Sequence, residues 1–278
     1  MTGVPIMTGA PIIAPAPIIE IVDASKSFDN GQSFAFRNVT LRVETGCFVA
    51  LVGASGSGKT TLLKIINRLI QPDSGAVRVE GQDVAAINAP VLRRRIGYVF
   101  QGVGLFPHMS VAENIGITPK LLGWPAAEIA TRVKELLDLV ELPQSYLSRP
   151  PLSLSGGERQ RAGVARAIAA RPKIVLMDEP LGALDPITRD SVGSAYRTLH
   201  DRLGLTTLMV THDIQEALLL ADRIAVMKAG RILAFDTPHG LTAVAQDPDV
   251  AALMGMPKQQ AERIRSILDG SGASGRHE

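Results

Sequence analysis

An unbroken apolar run, Phe48-Val-Ala-Leu-Val52, leads straight into Gly53-Ala-Ser-Gly-Ser-Gly58-Lys59-Thr60. The second stretch fits G-x-x-x-x-G-K-[ST], a pattern that works only as a turn between a buried strand and a helix. A strand apolar at every position belongs inside a sheet covered on both faces, so this junction alone predicts a parallel α/β core. Its glycines let backbone N–H groups close on phosphate oxygens, and the following helix N-terminus favours negative charge. Lys59 is expected to reach the β and γ phosphates of a nucleotide, and the Thr60 hydroxyl to ligate Mg²⁺.

A second apolar strand, Ile174-Val-Leu-Met-Asp178, ends in acid and is followed by Glu179 and Pro180. Ligands of α/β sheets bind at the carboxyl ends of the strands. Asp178 is therefore a candidate Mg²⁺ ligand, and Glu179 a candidate base for an attacking water. Neighbouring strand residues point to opposite faces, so using both acids in one site predicts a bend at this point. Gln101 follows strand Ile96–Phe100, where its amide could touch the metal or the water. His212 ends strand Thr206–Thr211, where it could orient water against the γ-phosphate. Phe28 is a candidate ring for stacking on adenine.

The remaining pattern sorts into three textures. Residues 18–28 and 33–43 read as two strands of a hairpin-like sheet, and Ala76–Glu80 as another strand. The helix after the phosphate loop is expected to run from Lys59 to about Leu69. Residues 102–170 read as a helical insert. Ser110 with Glu113 makes a capping box, Pro125 suits the first turn of the next helix, and a third helix starts after Gly157. The core then resumes with strand 174–178, a helix from about Ile187 to Leu203, strand Thr206–Val210, and a helix opened by Asp213. A last hairpin pairs Ile224–Lys228 with Arg231–Phe235. Two weaker helices, 241–254 and about 258–268, are expected before a Gly/Ser-rich end.

Apolar residues are 46% and charged residues 20%, so the chain can bury a sizeable core. The net charge of +2 gives no reason to expect nucleic acid as a partner. Cys47 is the single cysteine, which rules out an internal disulfide, and it is expected to be a buried thiol. No run reaches the ~18 apolar residues of a membrane span. Residues 1–17 carry four prolines and no Lys or Arg, unlike a signal peptide, and are expected to be a disordered extension. A cytoplasmic protein that meets the membrane through another subunit is the expectation.

One more motif, Leu154-Ser155-Gly156-Gly157-Glu158-Arg159-Gln160, stands between the phosphate loop and Asp178. Together GASGSGKT, Gln101, LSGGERQ, LMDEP, Gly182-Ala-Leu-Asp185 and Thr211-His212-Asp213 resemble the ATP-binding cassette (ABC) ATPases in identity, order and spacing, over about residues 18–240. The resemblance implies a P-loop NTPase core with an antiparallel β subdomain and a helical subdomain at about 102–170. It implies that ATP contacts Phe28, Gly53, Ser55, Gly56, Gly58, Lys59, Thr60 and Thr61. It implies that Thr60, Gln101 and Asp178 serve Mg²⁺, with Glu179 as catalytic base, His212 as switch histidine and Asp185 in the D-loop. In such proteins two cassettes pack head to tail, and Ser155, Gly156 and Gly157 of one meet the γ-phosphate held by the other. A serine and two glycines opening a helix suit an anion, and this chain already has one complete phosphate site.

Gly104-Leu-Phe-Pro-His108-Met-Ser-Val-Ala-Glu113-Asn114-Ile115, Leu121-Leu-Gly-Trp124 and Asp185-Pro-Ile-Thr188-Arg189 further resemble importer ATPases for glycine betaine, choline and related osmoprotectants. That likeness implies a homodimer on the cytoplasmic side of the cell membrane, an integral-membrane permease and an extracytoplasmic solute-binding protein. Phe106, Pro107 and His108 form an apolar-aromatic loop suited to receive the permease. Two departures stand out: Gln101 is followed by Gly102 where many relatives have a second Gln, and residues 241–278 are too few for paired CBS domains. The rival readings are an ABC ATPase for another solute or lipid and a cassette protein acting on ribosomes or DNA. The latter usually carries two cassettes or a long coiled coil, and this chain shows one cassette, no heptad run and no basic stretch.

Overall fold

Three strands have no solvent-facing position. Phe48–Val52, Ile174–Asp178 and Thr206–Thr211 are buried throughout, as in a sheet with layers on both faces. The computed structural model describes residues 16–243 and 247–271. Its elements begin with β1 (Ile19–Lys26), β2 (Phe36–Val43), β3 (Phe48–Val52) and α1 (Lys59–Ile66). β4 (Ser74–Val79), β5 (Gln82–Asp83), α2 (Ala89–Arg95) and β6 (Ile96–Val99) follow. A helical stretch contains α3 (Val111–Leu121), α4 (Ala126–Leu139) and α5 (Gly156–Ile168). Next come β7 (Ile174–Asp178), α6 (Pro186–Leu203), β8 (Thr206–Thr211) and α7 (Ile214–Leu220). The last elements are β9 (Arg223–Lys228), β10 (Arg231–Asp236), α8 (Pro238–Ala243) and α9 (Pro248–Ser271).

One sheet is antiparallel, ordered β2-β1-β4-β5, and contains the expected β1–β2 pair. The other is ordered β10-β9-β3-β8-β7-β6. Its strands β9, β3, β8, β7 and β6 run parallel, with β10 antiparallel at one edge. Strand alternation divides the core in two. Phe48, Ala50 and Val52 join a cluster with the helical insert, α6 and α7, while Val49 and Leu51 face α1 and the antiparallel sheet.

Register decides what shares an edge. Val52 pairs with Thr211, Asp178 with Val210, and Met177 with Val99. The segments after Val52, Val99, Asp178 and Thr211 therefore leave the sheet side by side, at the carboxyl edge where the sequence predicts a site.

Several differences from expectation lie at element ends, and others concern a whole element or a side chain's burial. α1 stops at Ile66, because Arg68 turns left-handed with φ 54°. Pro125 caps α4 from just outside it. α2, with a proline in its first turn, has too few apolar residues to show a period. Cys47 is half-buried, and burial pushes its thiol up to about 11. Beyond residue 240, α8 and one continuous α9 replace the two helices expected at 241–254 and 258–268, with Pro257 inside α9. Leu241, Val250 and Met254 extend the main core into this region. The disorder expected before residue 16 and after 271 falls outside the described residues.

Candidate nucleotide site

The loop between β3 and α1 depends on glycine in two places. Gly53 has φ 151° and Gly58 has φ 98°. A Cβ at Gly53 would strike the Met227 carbonyl oxygen, and one at Gly58 would strike that of Ala35. α1 opens with no side-chain cap and no acid in its first turn, so its first N–H groups remain available to an anion. Lys59 is buried, and its Nζ donates to the carbonyl oxygens of Gly53 and Ala54, each at 2.8 Å. Burial lowers its pKa, opposed by the charges of Glu179 and Asp178. Ser55 and Gly56 are exposed at the loop tip, and Thr60 and Thr61 are half-buried at the helix start.

The Thr60 hydroxyl donates to Asp178 Oδ1 at 2.7 Å. Asp178, at the end of β7, is almost fully buried. Tyr98 of β6 lies near the same carboxylate, and its pKa is pushed up, first by burial and then by the Asp178 charge. The expected bend between the two acids sits at Glu179 itself, which has φ 45°. A non-glycine residue held there costs about 1–3 kcal/mol, the kind of strain that collects at functional sites. The bend is fixed by Glu179 N–H donating to the Val210 carbonyl at 2.9 Å. It turns the Glu179 carboxylate so that Oε2 accepts from Gln101 Nε2 at 3.3 Å and faces His212 Nδ1, also at 3.3 Å. Three side chains from three loops thus meet at one oxygen.

Ser155 caps α5 in a complete capping box. Its Oγ accepts from Glu158 N–H at 3.3 Å, and Glu158 Oε2 accepts from Ser155 N–H at 2.7 Å. This explains Glu158, whose carboxyl is held low first by the Ser155 backbone bond. The N–H groups of Gly156 and Gly157 have no acceptor within the helix. Gly157 lies against Thr188, with Thr188 Cγ2 at 2.5 Å from the position of an added Cβ, and Gly156 similarly faces Leu184 at 3.6 Å. Asp185 caps α6 by accepting from Thr188 N–H at 3.0 Å. Among the described residues no hydrogen bond joins Ser155, Gly156, Gly157 or Asp185 to the phosphate loop. Phe28 is 67% exposed, with the Lys26 ammonium 5.5 Å from its ring centre.

Beside Gln101 a cleft of about 540 Å³ separates the parallel sheet from the helical insert. Residues 102–104, of which Gly104 lines the cleft, all have positive φ, which suits Gly102 and Gly104 and strains Val103. Buried Arg166 of α5 holds them, donating to the carbonyl oxygens of Gly104 at 2.6 Å and Val103 at 2.9 Å. Fully buried Asn114 likewise braces the exposed Phe106–His108 loop, bonding Phe106 through both N–H and carbonyl. Tyr98 and Arg166 stand outside every motif of the sequence, and Asn114 stands inside one that does not mark its bracing role. A charge on the small-residue face of α5, beside Ala162 and Ala169, is the one signal that could have exposed Arg166.

A parallel sheet with a phosphate loop, paired acids and a histidine at one edge, plus a helical insert whose last helix is opened by LSGG, defines an ATP-binding cassette. The chain belongs to the ABC transporter family, whose model matches residues 36–182. It is 45% identical over 253 residues to the choline transport ATP-binding protein OpuBA of Bacillus subtilis, covering 89% of this chain and 66% of that protein. It is 50% identical over 214 residues to the carnitine transport ATP-binding protein OpuCA of Listeria monocytogenes, covering 77% and 54%. The chain thus spans between 54% and 66% of the length of these relatives. A dimeric post-hydrolysis structure of the cassette MJ0796, bound to ADP and Pi, superposes with a TM-score of 0.71 at 31% identity, covering 79% of this chain and 98% of that one.

Proposed function

We propose that this chain is the ATP-hydrolysing subunit of an importer for an osmoprotectant such as glycine betaine or choline. Two copies act head to tail on the cytoplasmic side of the membrane, beneath a separate permease supplied by an extracytoplasmic solute-binding protein. Among the described residues no helix is long and apolar enough to cross a membrane, so the link to the membrane runs through the permease. The exposed Phe106–His108 loop, braced by Asn114, suits that contact.

The convergence of Gln101 and His212 on Glu179 Oε2, beside the Thr60–Asp178 pair, carries the hydrolytic reading. The N–H groups of the phosphate loop and Lys59 hold the β and γ phosphates, and Phe28 stacks on the adenine. Thr60, Asp178 and Gln101 present only oxygen donors at the phosphate edge, a set that fits Mg²⁺. When bound, that ion neutralises phosphate charge. Glu179 accepts the proton of the attacking water, while Gln101 and His212 orient that carboxylate and the water. Ser155, Gly156, Gly157 and Asp185 face the nucleotide of the second copy.

Glu179→Gln tests this directly. It keeps the shape and the hydrogen-bond reach but not the base, so hydrolysis falls by about 100-fold or more while ATP still binds. Light scattering then finds an ATP-dependent dimer; a variant that stays monomeric with ATP counts against the head-to-tail arrangement. For the cargo, the isolated complex and its binding protein are titrated with glycine betaine, choline, carnitine, proline and unrelated solutes. Failure of every quaternary amine ends the osmoprotectant reading.

A further inference from the structure

One guanidinium joins the two segments that flank the Glu179 site. Arg189 lies near the start of α6. Its Nη1 is 3.1 Å from Asp213 Oδ2, and its Nη2 donates to the Leu184 carbonyl at 3.0 Å. Its Nε faces Glu216 Oε1 at 3.6 Å, and neither of these buried atoms has a hydrogen-bond partner among the described residues. Glu216 is only 7% exposed. Its other oxygen accepts from Thr211 Oγ1 at 2.6 Å, and Thr211 Oγ1 in turn accepts from Asp213 N–H at 3.0 Å. The residues on both sides of His212 are therefore gripped by the Arg189–Glu216 pair. The same guanidinium grips Leu184, next to Asp185.

His212 needs such a grip. Its side chain is 60% exposed, so packing does not fix where the imidazole points. Its direction must come from the backbone, and the backbone is set by Thr211 and Asp213. A buried glutamate is tolerated only when paired, and a planar fork with five donors can meet three acceptors in fixed directions where a lysine ammonium cannot.

We infer that Arg189 is a positioning residue for hydrolysis: with Glu216 it aims His212 at Glu179 and ties that aim to the Leu184–Asp185 segment. The inference rests on the role proposed above for His212. In a head-to-tail pair it gives the D-loop a mechanical route to the catalytic glutamate, so that arrival of the second copy is felt at His212.

The test is a double-mutant cycle on the full chain, read as kcat and KM for ATP beside the thermal midpoint. Arg189→Met is expected to lower kcat about tenfold with KM changed less than about twofold, the pattern of a lost transition-state contact. Arg189→Lys does not restore the rate. In a His212→Ala background, Arg189→Met lowers kcat by less than about twofold further, because residues acting as one unit are not additive. Losses that multiply in the double variant, or full rescue by lysine, overturn the inference while leaving the His212 assignment in place. A His212→Ala variant with unchanged kcat removes that assignment and the inference with it. If Arg189→Met does not fold, Glu216→Gln enters the same cycle, with non-additivity again the supporting result and additivity the overturning one.

Discussion

The Thr60 hydroxyl and Asp178 Oδ1 stand 2.7 Å apart, although 118 positions separate the two residues in the chain. The parallel register of β3, β8 and β7 brings them together at one edge. Both are oxygen ligands of the kind Mg²⁺ prefers, held together beside the phosphate loop. Thr60→Ala is expected to raise the Mg²⁺ concentration for half-maximal ATPase activity by at least about tenfold, since even outer-shell partners of metals are worth that much. Thr60→Ser retains the hydroxyl and stays within about twofold of wild type by the same reasoning. A magnesium titration of the ATPase rate checks both, and equal behaviour of the two variants rejects the assignment of the hydroxyl.

Gly58 and Gly31 both have positive φ, 98° and 89°, but in different surroundings. A Cβ at Gly31 meets nothing within 4 Å, whereas one at Gly58 collides with the Ala35 backbone. Gly31→Ala therefore carries only the left-handed penalty, about 1–2 kcal/mol. Gly58→Ala adds a backbone displacement in the phosphate loop, expected to cost about 1–3 kcal/mol more and to abolish nucleotide binding. Urea unfolding together with binding of a fluorescent ATP analogue separates them. Tight binding by Gly58→Ala would mean that the loop can move without loss.

The strands and acids of the site are legible in the sequence because their chemistry forces local patterns. A buried parallel strand must be apolar throughout, and a phosphate loop must have its glycines at fixed spacing. Asp178 and Glu179 follow from position alone. Tyr98 does not: in Ile-Gly-Tyr-Val it looks like an ordinary core aromatic, and only the β6–β7 register brings it to Asp178. The roles of Arg166 and Arg189 are hidden for a related reason, since part of what each grips is backbone carbonyl, which no side-chain pattern reveals. The C-terminal helices went astray because periodicity marks faces and not ends; the burial of Val250 and Met254 against the core is a tertiary fact.

Phe28 is exposed while its neighbours Lys26 and Asp73 are locked in a 2.6 Å ion pair. The ring thus stands on a fixed base with a free face. Removing it by Phe28→Ala is expected to cost about 1–3 kcal/mol of nucleotide binding, a rise in Kd of roughly five- to hundredfold, as for other base–aromatic stacks. Phe28→Tyr keeps the stack and the affinity. Direct titration with ATP decides the matter, and an unchanged Kd for Phe28→Ala would show that adenine rests elsewhere.

His200 predicts a pH dependence independent of nucleotide chemistry. It is 1% exposed within α6, with Nδ1 3.0 Å from Thr207 Oγ1, which also meets the Tyr196 hydroxyl at 2.7 Å. Burial lowers its pKa below the ordinary value, and the nearby positive charge of Arg197 lowers it further. The charged form is then favoured in the unfolded chain. The contribution of His200 to stability is complete above the unfolded pKa of about 6.5 and is lost as pH falls through the lower folded value. Wild-type protein should therefore show a falling urea midpoint from pH 7.5 towards pH 5. His200→Gln keeps a polar partner for Thr207 and cannot charge. It is expected to cost about 1 kcal/mol at pH 7.5 and to lose that part of the slope, so that the two midpoints approach each other in acid. Parallel curves across this range would assign the acid sensitivity to another group.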